Sequence, residues 1–159
     1  MHTLTVDVAI IGAGTAGMTA YRAALAHTRR VVVIEDGPYG TTCARVGCMP
    51  SKLLIAAADA AHGIRLAGLF GVHGGGVAVD GAAVMDRVRR ERDRFAGFAV
   101  DAVQAWPAEH RLQGKARFVA GNTLDVGGHS RVQAGRIVIA TGSRPAVPDD
   151  WRRALGERL

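Results

Sequence analysis

Near the start of this 159-residue chain an apolar run, Val6-Asp7-Val8-Ala9-Ile10-Ile11, leads directly into Gly12-Ala13-Gly14-Thr15-Ala16-Gly17. Such a short, nearly continuous run is expected of a buried parallel strand. Residues from Thr15 to His27 read as a helix, and Arg30-Val31-Val32-Val33-Ile34 reads as a second strand ending at Glu35 and Asp36. Strand, G-x-G-x-x-G, helix, strand and acid in that order form a dinucleotide-binding unit. Each part has a physical task. Gly12 makes the tight turn, Gly14 lets a pyrophosphate approach the backbone, and Gly17 lets helix and sheet pack closely. The helix N-terminus, with Thr15 and Ala16 in its first turn, presents free N–H groups and a positive dipole end to that pyrophosphate. Glu35, with Asp36 beside it, stands where a ribose diol would donate hydrogen bonds. The plain alternative is a strand–helix turn that merely favours glycine.

The only two cysteines lie in Thr42-Cys43-Ala44-Arg45-Val46-Gly47-Cys48-Met49-Pro50-Ser51-Lys52. No leader-like stretch precedes them, which predicts a reducing, cytoplasmic setting and argues against a permanent cross-link. Closing so small a loop would contribute only about 2 kcal/mol in any case. In a regular helix, positions five apart lie about 8–9 Å apart at Cα. A disulfide tolerates about 7 Å. A bonded pair here therefore requires the backbone to leave the ideal helix, and Gly47 and Pro50 supply the means. The residues alone admit a redox pair, two unrelated buried thiols or half of a metal site. Tetrahedral zinc needs four ligands, and His62 has no partner at a matching spacing, so no metal is predicted.

Charge narrows the partners. The net charge is +6 and the densest basic stretch, Arg87, Arg89, Arg90, Arg92 and Arg94, alternates with Asp86, Glu91 and Asp93. The spacing predicts the pairs Asp86–Arg90, Arg87–Glu91 and Arg89–Asp93 on a solvated helix face. No aromatic interleaving or recognition motif accompanies it, so nucleic acid is not an expected partner. No apolar run reaches the ~20 residues of a membrane span, and Asp59 stops the run Leu53–Ala58.

Farther along, 51–62 reads as a helix opened by Pro50 and closed by Gly63, and Gly74-Gly75-Gly76 as a loop. Asp80 is a good N-cap for a long helix ending before Pro107, with Val84, Val88, Phe95, Ala99 and Ala102 as its apolar stripe. His110 reads as polar surface. Ala116–Val119, Thr123–Val126 and Arg131–Gln133 predict a three-stranded meander. Arg136-Ile137-Val138-Ile139-Ala140 is a further buried strand, ending in Thr141-Gly142-Ser143-Arg144-Pro145.

Gly40-Thr41-Thr42-Cys43-Ala44-Arg45-Val46-Gly47-Cys48-Met49-Pro50-Ser51-Lys52 resembles the G-G-T-C-x-N-V-G-C-x-P-S-K signature of the FAD-dependent pyridine nucleotide–disulfide oxidoreductases. Thr41 stands for the second glycine and Arg45 for the usual asparagine. Within the family the dihydrolipoyl dehydrogenase branch looks nearest, with mercuric and glutathione reductases as relatives. The resemblance implies an α/β, Rossmann-like FAD-binding domain, a parallel sheet with a three-stranded β-meander and a helical pair, incomplete as it stands. Residues 1–148 would be the N-terminal portion of that domain, and 149–159 the start of a linker to an NAD-binding domain. Cys43 would be the interchange thiol and Cys48 the thiolate under the flavin, with Thr42 beside the pair and Lys52 reaching toward the flavin N5 region. The backbone near Ala116 would meet the adenine side of FAD. Ala140, Thr141, Gly142 and Ser143 would let the chain pass close to it. The complete protein would be a homodimer moving electrons from a dithiol, a lipoyl group above all, through the Cys43–Cys48 disulfide and FAD to NAD.

Overall fold

The computed structural model describes residues 2–144 and 146–156. Pro145 of the strand-end turn and 157–159 of the expected linker lie outside the described residues. The strands are β1 (His2–Ile11), β2 (Val31–Glu35), β3 (Arg111–Gln113), β4 (Ala116–Ala120), β5 (Thr123–Val126) and β6 (Ser130–Ile139). The helices are α1 (Thr15–Leu25), α2 (Thr42–Val46), α3 (Cys48–Leu66), α4 (Gly81–Gln104) and α5 (Asp149–Leu155).

One mixed sheet of six strands runs in the order β3-β2-β1-β6-β5-β4. The first four of that series are parallel, and β5 and β4 continue it antiparallel. Val31 through Ile34 are all buried, as a strand covered on both faces should be. The period of two divides them. Val32 and Ile34 join Ala9 and the meander's Leu124, Val126 and Val132 in one cluster. Val31 and Val33 join Ile10 and Tyr21 of α1 in the other. The strand ends that carry the glycine turn are thus clamped from both faces.

The third meander strand and the later buried strand, expected as separate, form the single strand β6. Its first half pairs antiparallel with β5 while its whole length pairs parallel with β1, from His2↔Ser130 to Ile11↔Ile139. Because β1 extends back to His2, it offers a partner along all of β6, and Gly135 bridges the two halves close against the Asp7 carbonyl. The helix expected over 51–62 runs from Cys48 to Leu66. Pro50 sits inside its first turn, where its missing N–H costs nothing, and Gly63 does not end it.

Asp80 caps α4 as its sequence suggests, its Oδ1 accepting from Ala83 N–H at 3.0 Å. Val88 and Val103 are the buried residues of α4, and Ala102 is exposed. The expected i,i+4 pairs give way to Arg89–Asp86 and Arg94–Glu91 at i,i+3, both at 3.0 Å, and to the neighbours Arg92–Asp93 and Arg90–Glu91. Exposed pairs of this kind contribute little, so rotamer choice decides among them. The stretch Thr42–Phe70 is, by length and composition, long and apolar enough to cross a membrane, contrary to expectation from Asp59. It is not one helix, however, because Gly47 at φ −126°, ψ −106° separates α2 from α3.

His110 is not surface. It is buried, its Nδ1 2.7 Å from the Tyr21 hydroxyl, and Tyr21 in turn stacks on Trp106 at 4.0 Å between ring centroids. This ties α1 to the turn after α4. Burial pushes the Tyr21 phenol above its ordinary value, Glu109 adding to the shift and Arg29 opposing it. The unfolded chain therefore loses this proton first as pH rises. Its contribution is whole below about pH 10 and declines as pH climbs from there toward the folded value. Tyr21→Phe, which leaves His110 Nδ1 without that partner, is expected to cost about 1–2 kcal/mol at neutral pH. It should also flatten the alkaline fall in stability, which urea unfolding at neutral pH and above pH 10 will read.

Candidate dinucleotide and dithiol site

The glycine turn is built by contacts no other residue permits. Gly12 has φ +106°, and a Cβ there would lie 2.3 Å from the Ala140 carbonyl oxygen. The end of β6 therefore passes directly behind the turn, with Ala140 N–H donating to the Ile11 carbonyl at 2.8 Å. A Cβ on Gly17 would lie 1.8 Å from the Gly12 oxygen, so α1 begins in contact with the turn itself. Gly14 differs. It is the N-cap of α1, has no side-chain cap, and a Cβ there meets nothing within 4 Å. The first N–H groups of α1 face open space without a carboxylate in the first turn, as an incoming phosphate requires.

Glu35 is held at the end of β2 by two backbone donors. Ala13 N–H donates to Oε2 at 2.8 Å and Gly37 N–H donates to Oε1 at 3.0 Å. Its carboxylate therefore braces the glycine turn and retains lone pairs for a further donor.

A groove of about 940 Å³ runs over these parts. Gly12, Gly14, Thr15 and Ala16 line one end, with Glu35 and Asp36 beside them. Ala116, Ala140, Thr141, Gly142 and Ser143 line it as well, as do Thr42 and Cys43. Gly17 lies beneath, buried against the turn. Cys48 and Lys52 belong to the first turns of α3 and lie outside the groove's lining. Three cations that the sequence reading gave no role, Arg45, Lys115 and Arg144, also face the groove. Their signal was position: Arg45 stands between the cysteines, and Lys115 and Arg144 each adjoin a stretch already marked.

Thr41 caps α2 through Ala44 N–H to its Oγ1 at 3.1 Å, which places Cys43 in the first turn of α2. Gly47 then breaks the backbone so that Cys48 opens α3. The two thiols are free and exposed. The Cys43 thiol is raised above the usual cysteine range, chiefly by a side-chain hydrogen bond with Cys48. Among the described residues no cluster of His, Cys, Asp and Glu is suited to a metal.

A mixed α/β sheet, parallel around this glycine turn, with an acid at the next strand end and the first of two neighbouring cysteines on the same groove, defines a dinucleotide-binding domain equipped for thiol chemistry. The family pattern described as "Pyridine nucleotide-disulphide oxidoreductase" matches residues 6–153, and the chain belongs to that family. It is 38% identical over 154 residues to a mercuric reductase of Streptomyces lividans, with 89% of this chain and 31% of that protein covered. It is 32% identical to a glutathione reductase of Burkholderia cepacia, with 93% and 32% covered. It is 33% identical to a dihydrolipoyl dehydrogenase of Mycoplasma pneumoniae, with 87% and 30% covered. The HOCl-induced flavoprotein disulfide reductase RclA from Escherichia coli, solved as a Cu(II) complex, superposes with a TM-score of 0.69 at 26% identity, over 91% of this chain and 30% of that one. The chain thus spans about a third of the length of these relatives. The α/β architecture is that of the Rossmann-like FAD-binding fold of flavoprotein disulfide reductases.

Members of this family bind FAD and use NAD(P), and the residues present fit the FAD. The fit is local: an uncapped α1 terminus, open space at Gly14, and a groove that reaches from that turn to Cys43.

Proposed function

We propose that this chain is the FAD-binding, dithiol-bearing portion of a disulfide oxidoreductase. Its Cys43–Cys48 pair would exchange two electrons and two protons with a thiol substrate. The single observation that supports this is that the groove lined by the phosphate turn also takes in Cys43, with Cys48 opening the next helix beside it. Gly12, Gly14, Thr15, Ala16 and Gly17 would receive the pyrophosphate, and Glu35 with Asp36 the ribose. The Ala116 backbone would meet the adenine. Thr42 would flank the thiols, and Ala140 to Ser143 would form the close wall.

In the substrate step a substrate thiolate attacks one sulfur of the Cys43–Cys48 disulfide and releases the other as thiolate. The second substrate thiol then displaces the protein sulfur, so the substrate leaves as a disulfide and the protein keeps both electrons as a dithiol. Cys43, which lines the groove, is the interchange sulfur in this reading, and Cys48 closes the pair. FAD, when bound, supplies the two-electron acceptor that returns the pair to a disulfide. Lys52, one turn beyond Cys48, supplies a cation on the same helix.

The substrate we propose is a lipoyl dithiol, with NAD as the final acceptor in the complete protein. A soft metal ion held by the two thiols is the second reading, favoured by the 38% identity to a mercuric reductase. Residues 149–159 would lead toward an NAD-binding domain. Homodimerisation would cover part of α3, none of whose residues is buried. A reducing cytoplasmic setting fits a free dithiol, and neither nucleic acid nor a membrane is a proposed partner.

The test is direct. The purified chain, given excess FAD, should show flavin bound, and desalting should release most of it. Weak retention is expected because the groove wall from Thr141 to Arg144 is exposed, and a site open on one side holds its ligand loosely. Absence of bound flavin at saturating concentration, with the far-ultraviolet spectrum of the fold intact, overturns the reading.

A further inference from the structure

The turn between β5 and β6 lies away from the glycine turn in sequence, yet a chain of polar contacts joins them. His129 Nε2 is 3.0 Å from the Gln113 carbonyl oxygen, which accepts only, so Nε2 carries the proton. Its Nδ1 is then the acceptor for the Ser130 hydroxyl at 2.9 Å. Gln113 Nε2 donates to the Gly37 carbonyl at 2.9 Å, and Gly37 N–H donates to Glu35 Oε1. The other carboxylate oxygen holds Ala13 N–H inside the glycine turn. Gly114 N–H also reaches the Glu35 carbonyl at 2.8 Å.

The exposed imidazole lies against two glycines. A Cβ on Gly114, at φ +145°, would lie 3.1 Å from His129 Nε2, and one on Gly127, at φ +59°, would lie 3.0 Å from its Cδ2. Two glycines in the left-handed half of backbone space make room for this ring. Gly114, Lys115 and Ala116 line the groove, so the ring bears on that wall at Gly114 and Gln113.

We infer that His129 is a positioning residue for the adenosine end of the groove, acting through Gln113 and Gly37 on Glu35 and the Ala13 amide. This rests on the dinucleotide reading above. It adds a residue that touches no ligand itself. The imidazole fixes the Gln113 carbonyl, the Gln113 side chain fixes the β2 exit, and the exit sets the carboxylate that braces the turn.

The experiment compares the parent chain with His129→Ala, His129→Gln and Gln113→Ala. Affinities for adenosine diphosphate and for flavin mononucleotide are measured by calorimetry, and amide exchange at Ala13 and Gly37 by nuclear magnetic resonance. His129→Ala and Gln113→Ala should each weaken adenosine diphosphate about tenfold, the worth of one well-placed hydrogen bond, and leave flavin mononucleotide within about twofold. His129→Gln, whose amide N–H reaches the same carbonyl, should recover most of the loss. Amide exchange at Gly37 and Ala13 should quicken in the two alanine variants without any ligand. Unchanged exchange at both amides overturns the inference, as does an equal loss for both nucleotides. A parent chain that binds neither nucleotide overturns the dinucleotide reading instead, and the exchange rates still judge the relay.

Discussion

Gly17→Ala will lose FAD binding and at least about 3 kcal/mol of stability, whereas Gly14→Ala will keep its fold. The two glycines stand three positions apart in one motif, and the structure gives them opposite surroundings. A methyl group on Gly17 would sit 1.8 Å from the Gly12 oxygen, far inside contact distance, and that atom is backbone that cannot swing aside. Relief demands that α1 lift from the sheet, which pulls Tyr21 out of its cluster with Ile10, Val31 and Val33. A methyl group on Gly14 meets no protein atom within 4 Å. Its melting temperature should match the parent within a degree or two, because a surface change without a partner costs within about 0.5 kcal/mol. Its affinity for FAD should nonetheless fall about tenfold or more, because the added carbon occupies the space proposed for the pyrophosphate. Thermal melts and flavin titration of the two variants, run together, separate a packing glycine from a binding glycine. Equal melts for both would refute the packing argument.

The second large effect concerns the sulfurs. Oxidised by a small disulfide, the parent chain should lose both thiols and carry no adduct, since the second cysteine expels the first mixed partner. Cys43→Ser and Cys48→Ser should each retain the adduct as a stable mixed disulfide, which intact mass will show. In a complete oxidoreductase of the kind proposed above, either change should lower thiol-dependent turnover about a thousandfold or more, because neither sulfur can complete the exchange alone. The hydrogen bond between the thiols adds a signature in pH. It raises Cys43 above the ordinary cysteine range, so its alkylation should begin at higher pH than that of a free thiol. Cys48→Ala removes the principal cause, and the alkylation profile of Cys43 should move down toward the ordinary value. An unmoved profile would mean that the sulfurs do not meet in solution.

Much of the site could be read from residue order. Gly12, Gly14 and Gly17 announce themselves by spacing, and Glu35 by its place at the end of an apolar run. The cysteine stretch carries a recognisable signature over consecutive residues. What escaped the sequence was relational. His110 has no neighbour in sequence that marks it as buried, and only the approach of Tyr21, 89 positions away, makes it so. The extra half of β1 and the fusion of two predicted strands into β6 were equally hidden. Polar residues such as His2, Thr3 and Thr5 break the apolar pattern, and only pairing with β6 makes them strand. The basic helix misled for a related reason, since exposed ion pairs differ too little in energy for spacing to select among them.

The chain's own order determined the strand–turn–helix unit, the acid that follows it and the two sulfurs near a helix start, because local geometry demands particular residue types there. Tertiary structure alone decided that the turn, the acid and Cys43 share one groove. It also decided that the Glu35 carboxylate turns inward to hold Ala13, and that His129 reaches back through Gln113 to the same place. Those outcomes depend on which strands lie side by side, and strand neighbours are chosen by burial summed over the whole sheet rather than by any stretch of sequence.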